Sequence, residues 1–415
     1  MQHVIVGAGP AGVVAAETLR KADPAAAIII VGDEPEPPYS RMALPYLLIE
    51  RIGEDGTHLR KGAKHFAKFG VEVKPGRVTG IERGKHRITL EGGQSLGYDR
   101  LLIATGSRPV APPIPGVDLA GVYPCWTLDN ARKIAERAQP GAKVVLMGAG
   151  FIGCIILEAL AKRRVELTVI EMADRMVPRM MSNAAGTMIK NWCEAKGVRV
   201  LTSTKVTSIN KAKGHGLAVH LDSGQEIPAD LVISATGVKP NVELLAGTGI
   251  EVKQGILVND RFQTSDPDIY AAGDVAQGRD FSTGDYSVQA IQPTAVDHGR
   301  TAALNMAGRE ARHQGSVNMN VLDTMGLVSS SFGLWMGTKG GDEAELCQPE
   351  AFRYLNLQFQ DDVLVGAHSL GLTQHVGVLR GLIQTRVHLK GWKDRLRKDP
   401  TRIMEAYLGS TQLVG

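Results

Sequence analysis

The stretch Val4-Ile5-Val6-Gly7-Ala8-Gly9-Pro10-Ala11-Gly12 decides the fold of the first part of the chain. It reads as a short buried strand that runs into a glycine turn, and helical residues 13–21 and a second strand, 28–31, follow. In such a unit the first glycine makes the tight turn, the second lets the backbone approach a pyrophosphate, and the third lets the helix lie close to the strand. The N-terminus of the helix favours an anion. The stretch therefore predicts a dinucleotide site at Gly7, Gly9, Pro10, Ala11 and Gly12.

An acid at the end of the second strand completes this kind of site, because its carboxylate can accept hydrogen bonds from the adenosine ribose. Two acids stand there in this chain, Asp33 and Glu34. Glu34 is the first choice for the role and Asp33 is a close second.

The whole pattern recurs about one domain length later. A strand at 144–147 leads into a second glycine turn, a helix runs to about residue 162, and a strand at 167–170 ends in Glu171. A single glycine turn is weak evidence, but two copies with strand, helix and terminal acid in place indicate two dinucleotides. The second site is predicted at Gly148, Gly150, Phe151, Ile152, Gly153 and Glu171.

A second duplication closes the two units. Residues 101–109 and 231–240 each form an apolar strand that runs into a turn of small residues. Such turns can lie against a cofactor, since they carry no bulky side chains. The residues predicted to do so are Ala104, Thr105 and Gly106 in the first unit and Thr236 and Gly237 in the second.

Composition excludes several other classes of function. The formal net charge of +4 over 415 residues gives no reason to expect nucleic-acid binding. No apolar run approaches the roughly 20 residues that cross a bilayer, and the chain opens directly into a strand, so a cytoplasmic protein is expected. The four cysteines form no CxxC pair or metal-ligand spacing, so they are expected to be mostly buried and no metal site is predicted.

The segment Thr264-Ser265-Asp266-Pro267-Asp268-Ile269-Tyr270-Ala271-Ala272-Gly273-Asp274-Val275-Ala276, together with the duplicated turns, resembles the pyridine nucleotide-disulfide oxidoreductases. The resemblance covers about residues 1–320 and implies an enzyme with FAD in the first site and NADH in the second. It implies that Gly273 and Asp274 contact FAD, Asp274 through the ribityl chain. It also implies that the helix opening near Gln292, with Thr294 in its first turn, points at the flavin.

Within this superfamily, residues 38–46 are most similar to the branch of rubredoxin reductases, ferredoxin reductases, small NADH oxidases and nitrite reductase flavin segments. Members with oxidase, peroxidase or disulfide reductase chemistry carry a redox cysteine here, and this chain has Met42 in its place. A thioether cannot form a thiolate or a mixed disulfide. Disulfide chemistry is therefore not expected. Arg41 is a candidate for contact with FAD, although a surface ion pair explains it equally well.

Two positions near the second site bear on the coenzyme. Many relatives place a glutamate where this chain has Ile155, and the next acid is Glu158. The carboxylate of Glu171 favours NADH because it would repel the 2′-phosphate of NADPH. Arg175, four residues further on, leaves some use of NADPH open.

The expected fold class is α/β, with two Rossmann-like, glutathione-reductase-like domains and a C-terminal α+β domain. The boundaries are 1–112 and 247–320 for a discontinuous FAD domain, 113–246 for an NAD domain and 321–415 for an interface domain. Short strands are expected at 352–359 and 363–368. By analogy with relatives, the last domain builds a homodimer interface or covers the flavin.

The expected activity is hydride transfer from NADH to flavin N5, followed by electron transfer to a protein acceptor. No catalytic side chain is named, because this step requires no proton shuttle. The acceptor is expected to be a rubredoxin, a ferredoxin or another iron–sulfur partner subunit. A basic segment at 386–402, expected to be helical, would be its docking patch or simply a solvated helix face. Two alternatives remain open: an NADH oxidase that forms hydrogen peroxide, and a non-catalytic flavin redox sensor or subunit like the apoptosis-inducing-factor group.

Overall fold

The computed structural model describes residues 1–62, 64–214 and 216–411. The chain divides into two compact units. Unit 1 consists of Met1–Arg108 and Val238–Ser316, and unit 2 consists of Pro109–Gly237 and Val317–Gly415. Two short strands, Ser107–Pro109 and Val238–Pro240, lie where the chain passes from one unit to the other.

Unit 1 is built on a parallel five-stranded sheet whose central strand, Gln2–Val6, leads into the first glycine turn. In order across the sheet, the strands are Ile269–Ala271, Arg100–Ile103, Gln2–Val6, Ala27–Gly32 and Val71–Pro75. Apart from the edge strand Val71–Pro75, the strands are mostly buried and rich in Val, Ile and Leu, as both-face burial of a parallel sheet requires. Smaller sheets comprise Val78–Glu82, Arg87–Leu90 and Ser95–Gly97, and Ile256–Leu257, Ala276–Arg279 and Tyr286–Ser287.

Two long helices of unit 1 pack against each other, Pro10–Ala22 and Gln292–Met306. Their backbones approach closely: a Cβ atom at Gly299 would lie 2.3 Å from the carbonyl oxygen of Ala11. The helix Pro10–Ala22 begins three residues before the start that the sequence predicted, because proline suits a first helical position. Two shorter helices of this unit are Leu44–Leu48 and His65–Lys68.

Unit 2 repeats the same sheet. Its parallel strands, in order, are Val122–Pro124, Leu231–Ser234, Lys143–Met147, Glu166–Ile170 and Arg199–Leu201. In both sheets the strand before the glycine turn lies between the strand that ends in the acid and the strand that ends in the small-residue turn. The predicted duplication of a Rossmann-like α/β fold is therefore confirmed. The accompanying helices are Leu128–Arg137, Phe151–Lys162 and Asn183–Ala195, and an antiparallel sheet comprises Val206–Lys211, Leu217–Leu221 and Glu226–Ala229.

The C-terminal part of unit 2 is an antiparallel sheet with three helices against one face. The strands, in order, are Met319–Thr324, Leu327–Gly333, Val363–Leu370, Arg353–Gln360 and Asp342–Gln348. The helices are Val376–Thr385, Gly391–Lys398 and Ile403–Thr411. Their shared core includes Leu357, Phe359, Leu379, Leu382 and Leu396.

The helix expected across 386–402 is shorter than the sequence predicted. It covers only Gly391–Lys398. Arg386 and Lys390 have φ angles of 52° and 51°, and such left-handed residues end one helix and precede the next. The basic residues therefore lie on a loop and one short helix rather than on one continuous face.

None of the helices in the described ranges combines the length and the apolar character that a membrane crossing requires.

Candidate active site

The first glycine turn is closely packed at two positions and open at the third. A Cβ atom at Gly7 would lie 2.1 Å from the carbonyl oxygen of Ala104, and one at Gly12 would lie 2.0 Å from the carbonyl oxygen of Gly7. A Cβ atom at Gly9 would meet nothing within 4 Å. Gly7 and Gly12 are thus required by the fold, whereas the open space at Gly9 is what a bound pyrophosphate needs.

The N-terminus of the helix Pro10–Ala22 has free N–H groups that can bind an anion. Gly9 is its N-cap and supplies no side-chain cap, and the first turn, which contains Ala11, carries no acid. The first N–H groups of a helix lack intrahelical partners and lie at the positive end of the dipole. A dinucleotide pyrophosphate therefore fits this position.

Glu34 lies just beyond the strand Ala27–Gly32 and is held by two neighbours. The Tyr39 hydroxyl donates to its Oε2 at 2.5 Å, and Arg41 Nη2 donates to its Oε1 at 2.7 Å. Asp33, the second choice, is exposed. Arg41 thus bonds the acid that the sequence predicts to bind the adenosine ribose. Tyr39 was not singled out in the sequence, because a tyrosine five residues beyond the acid carries no motif.

Asp274 follows a glycine that lies between the two long helices of unit 1. A Cβ atom at Gly273 would lie 3.2 Å from the Cβ of Ala11 and 3.4 Å from that of Ala295. Ser107 Oγ donates to Asp274 Oδ2 at 2.8 Å. Burial raises the pKa of the Asp274 carboxyl, while the bond from Ser107 and the charge of Arg41 act in the opposite direction. The carboxylate is therefore a half-buried acceptor that is suited to a ligand hydroxyl.

The turn Ala104–Gly106 is fixed by Asn241, which the sequence did not indicate. Thr105 Oγ1 donates to the carbonyl oxygen of Asn241 at 2.9 Å, and Asn241 Nδ2 donates back to the carbonyl oxygen of Thr105 at 2.8 Å. The backbone N–H of Asn241 bonds the carbonyl oxygen of Gly106 at 3.0 Å. Ala104 is buried and packs on Gly7. The two predicted FAD segments are thereby placed side by side.

The helix Gln292–Met306 opens as the sequence predicted, with a proline in its first turn. It has no side-chain cap and no acid in that turn, and Thr294 is buried there. Ser40 Oγ donates to Gln292 Oε1 at 2.6 Å, which ties the 38–46 segment to this helix end. Like the N-terminus of the helix Pro10–Ala22, this helix end has no side-chain cap, and it can stabilise negative charge on a ligand.

The second glycine turn has the same geometry as the first. A Cβ atom at Gly148 would lie 2.6 Å from the carbonyl oxygen of Ala235, one at Gly153 would lie 2.1 Å from the carbonyl oxygen of Gly148, and one at Gly150 would meet nothing within 4 Å. Gly150 caps the helix Phe151–Lys162, whose first turn carries no acid. Phe151 and Ile152 are half-buried in that turn.

Glu171 is anchored to the backbone on both carboxylate oxygens. The N–H of Ala149 donates to Oε2 at 2.7 Å, and the N–H of Ala173 donates to Oε1 at 2.8 Å. A carboxylate offers about four lone-pair positions, so each oxygen keeps one acceptor position for a ribose hydroxyl. The acid therefore belongs to the same rigid arrangement as the glycine turn.

The turn Thr236–Gly237 repeats the pattern found at Thr105. Thr236 Oγ1 donates to the carbonyl oxygen of Val110 at 2.8 Å, and the N–H of Val110 donates to the carbonyl oxygen of Gly237 at 2.9 Å. In each unit the small-residue turn is thus hydrogen-bonded to a residue close to the point where the chain enters that unit. These residues are Asn241 in unit 1 and Val110 in unit 2. A backbone partner such as Val110 leaves no mark in the sequence.

No acid of the helix Phe151–Lys162 is left free to replace the missing glutamate at Ile155. Glu158, the next acid, forms an ion pair with Lys162 one turn along the same helix.

Three of the four cysteines are buried, as the sequence predicted, and the fourth is exposed. Burial raises the pKa of Cys125 and of Cys193 to about 12 and raises that of Cys154 as well. Cys347 is the exposed one, and it lies on the outer strand Asp342–Gln348 of the C-terminal sheet. Met42 is 46% exposed at the position of the relatives' redox cysteine. In the described ranges, no group of three or more His, Cys, Asp or Glu residues could hold a metal ion.

Comparison with known proteins agrees with this geometry. The model of the family described as "Pyridine nucleotide-disulphide oxidoreductase" matches residues 1–299, which contain both glycine turns. The chain belongs to this family. It is therefore an oxidoreductase, and FAD and NADH are its cofactors.

Individual relatives include a dehydrogenase subunit, an oxidase and a reductase. The NADH-dependent phenylglyoxylate dehydrogenase subunit epsilon of Aromatoleum evansii is 30% identical over 99% of this chain and 98% of its own length. An NADH oxidase of Methanocaldococcus jannaschii is 32% identical over 77% of this chain and 73% of its own length. Among solved structures, the covalent putidaredoxin reductase–putidaredoxin complex contains a chain with a TM-score of 0.91 and 25% identity, and the match covers 99% of each chain.

Proposed function

We propose that the protein is an NADH-dependent FAD reductase that passes electrons to a separate acceptor protein. The observation that carries the proposal is the pair of matched cradles, in which Gly9 and Gly150 face open space while their flanking glycines are closely packed. Bound FAD would supply the chemistry by accepting hydride from NADH and releasing the electrons one or two at a time.

The residues of unit 1 would hold FAD. The turn at Gly9 and the N–H groups of the helix Pro10–Ala22 would bind the pyrophosphate, and Glu34 would bind the adenosine ribose. Asp274 would accept a hydrogen bond from the ribityl chain. Arg41 bonds Glu34, and its charge partly offsets the rise that burial causes in the pKa of Asp274. We assign it a role in orienting both acids rather than in a surface ion pair.

The residues of unit 2 would bind NADH through the turn at Gly150 and through Glu171. For the chain as a whole, we assign residues 1–112 and 247–320 to FAD, 113–246 to NADH, and 321–415 to the interface with other proteins. Cytoplasmic location and a homodimer complete the proposal, since the four cysteines form no disulfide and the family resemblance implies an interface in the last domain. Light scattering at several protein concentrations tests the dimer.

The acceptor is proposed to be an acidic electron carrier or a partner subunit. Named relatives point in this direction, since one is a subunit of a larger dehydrogenase and one was solved together with putidaredoxin. The basic segment offers a docking surface, although Lys393 is paired with Asp342. Arg395 and Arg402 stack on Trp392, at 4.5 and 5.5 Å from its ring centre. The exposed cations of this docking surface are Arg386, Lys390, Arg395, Arg397, Lys398 and Arg402.

Direct reduction of oxygen is the second candidate function, because one relative is an NADH oxidase. Met42 provides no thiol at the position of the redox cysteine, so hydrogen peroxide rather than water would be the product. An assay of the NADH-reduced protein separates the two functions. Slow reoxidation in air with rapid turnover on adding a rubredoxin or ferredoxin supports the reductase. Rapid reoxidation in air, with no gain from either carrier, overturns it in favour of the oxidase.

A further inference from the structure

The loop that follows Glu171 contains an arginine whose hydrogen bonds all go to its own loop. Arg175 Nε donates to the carbonyl oxygen of Met181 at 3.0 Å, and Nη2 donates to that of Pro178 at 3.4 Å. Its Nη1 donates to Asp174 Oδ1 at 2.8 Å. Every guanidinium nitrogen is therefore engaged, and the side chain is only 22% exposed.

The stem of this arginine is held as firmly as its guanidinium. Gly186, in the helix Asn183–Ala195, lies against it: a Cβ atom at Gly186 would be 3.0 Å from Arg175 Cβ and 2.6 Å from the carbonyl oxygen of Met176. A larger residue would push the loop away from the helix. The packing thus fixes Arg175 in the arrangement that the hydrogen bonds define.

The loop in turn holds the second glycine turn through Val177. The N–H of Val177 donates to the carbonyl oxygen of Ala149 at 2.8 Å. Val177 has a φ of 44° and is buried, an outlying conformation for a β-branched residue that its surroundings must stabilise. Arg175 precedes Val177 in the chain, and its hydrogen bonds to Pro178 and Met181, which follow Val177, close the loop around this residue. Ala149 is therefore held from two directions, by Val177 and by Glu171.

We propose that Arg175 is a positioning residue for the coenzyme site, which closes the 175–181 loop and contacts no coenzyme phosphate. The inference rests on the proposed binding of NADH at the turn around Gly150. A 2′-phosphate is recognised best by a pair of free guanidinium N–H groups on one edge, whereas each guanidinium nitrogen of Arg175 already donates one hydrogen bond to the 174–181 segment. Arginine is the residue type that would favour NADPH, but Arg175 binds backbone carbonyl groups of its own loop. The preference for NADH is therefore determined by Glu171.

The test compares variants of two arginines in the same loop by titration calorimetry of the FAD-loaded protein. Arg175→Met removes the charge and the planar fork, whereas Arg175→Lys keeps the charge alone. Arg179→Met is the matched control, since Arg179 is exposed and no hydrogen bond from it is found among the described residues. The ligands are ADP-ribose and its 2′-phosphorylated form. Flavin absorbance and a thermal melt report whether each variant is folded.

If Arg175 is a positioning residue, both substitutions weaken both ligands by the same factor, about tenfold or more, lysine does not rescue, and Arg179→Met leaves ADP-ribose binding unchanged. If Arg175 binds phosphate, Arg175→Met weakens only the 2′-phosphorylated ligand and lysine restores it, which overturns the inference. Unchanged binding of both ligands in folded Arg175→Met also overturns it. Failure of the parent protein to bind ADP-ribose would instead contradict the proposed function.

Discussion

The carboxylate of Glu171 accepts a hydrogen bond from the backbone N–H of Ala149, with 2.7 Å between Oε2 and the nitrogen. Ala149 is the second residue of the glycine turn that follows the strand Lys143–Met147. Glu171, at the end of the neighbouring strand Glu166–Ile170, is therefore bonded directly to this turn. The spacing between the proposed ribose site and the proposed pyrophosphate site is therefore set before any coenzyme binds. Such preorganisation lowers the ordering cost of binding.

Removing the charge of Glu171 is expected to weaken NADH binding and to reduce the preference for NADH over NADPH. Glu171→Gln keeps the size of the side chain but cannot accept from both N–H groups, and it no longer repels a 2′-phosphate. We expect the KM for NADH to rise about tenfold, with the same direction for Glu171→Ala. Glu166→Gln, at the exposed start of the same strand, is the control. Steady-state kinetics with both coenzymes measure the ratio, and an unchanged preference contradicts the role of Glu171.

The three glycines of the first turn are expected to respond differently to alanine. Gly12→Ala places a methyl group against the carbonyl oxygen of Gly7 and should destabilise the unliganded protein by about 1–3 kcal/mol. Gly9→Ala has free space and an ordinary φ of −78°, so stability should be maintained while FAD affinity falls about tenfold or more. Thermal melts and FAD fluorescence titrations measure the two effects. Equal FAD affinity in Gly9→Ala and the parent would show that the pyrophosphate does not lie at this turn.

The carboxylate of Asp274 is expected to lower the stability of the unliganded protein and to strengthen FAD binding. Because its folded-state pKa is raised by burial, the folded protein binds more protons than the unfolded chain between the unfolded and folded pKa values, and stability falls as pH rises through that window. Asp274→Asn removes this cost, so the unliganded variant should melt higher than the parent at neutral pH, with a difference that narrows in acid.

The same Asp274→Asn substitution should weaken FAD by about tenfold to a hundredfold, because a charged acceptor is lost. The amide oxygen of the substituted side chain can still accept the hydrogen bond from Ser107. The substitution therefore removes the charge at this position and keeps that bond. A variant with full FAD affinity, or one that melts lower than the parent at every pH, would be inconsistent with a half-buried carboxylate that serves the ligand.

The buried thiols are expected to take no part in turnover. With the pKa values of Cys125 and Cys193 raised to about 12 and that of Cys154 raised as well, thiolate is negligible at neutral pH. A thiol reagent should therefore modify only Cys347 in the native protein and leave NADH oxidation unchanged. Mass spectrometry locates the label, and loss of activity on labelling would point to disulfide chemistry after all.

Docking of the acceptor is expected to depend on salt and on the exposed face of the helix Gly391–Lys398. Changing Arg397 and Lys398 together to alanine should lower kcat/KM for an acidic carrier about tenfold at low ionic strength and much less at high ionic strength. The NADH half-reaction should be unaffected. Lys211 and Lys213, exposed on and beside another strand of unit 2, provide the control pair. Equal losses in both pairs would mean that net charge matters and this patch does not.

The local parts of both cradles could be predicted from the sequence, and their long-range supports could not. Glycine spacing and strand-terminal acids are contiguous patterns, so Gly9, Gly150 and Glu171 were found directly. Asn241 bonds a turn more than a hundred residues away in sequence, and Val110 and Ala149 act through backbone atoms that no side chain identifies.

The C-terminal segment shows a different limit. Its charges suggested one long helix, but left-handed residues at Arg386 and Lys390 divide it. Such conformations are set by tertiary packing rather than by composition.

The most direct test of the central claim is a titration of the purified, FAD-loaded protein with NADH in the absence of oxygen, with the flavin absorbance followed. The predicted result is complete bleaching at about one equivalent of NADH in the parent and in the control Glu166→Gln, together with a requirement for a large excess of NADH in Gly150→Ala. Absence of bleaching in the parent, or bleaching that is equally efficient in Gly150→Ala, would contradict an NADH site at the second glycine turn.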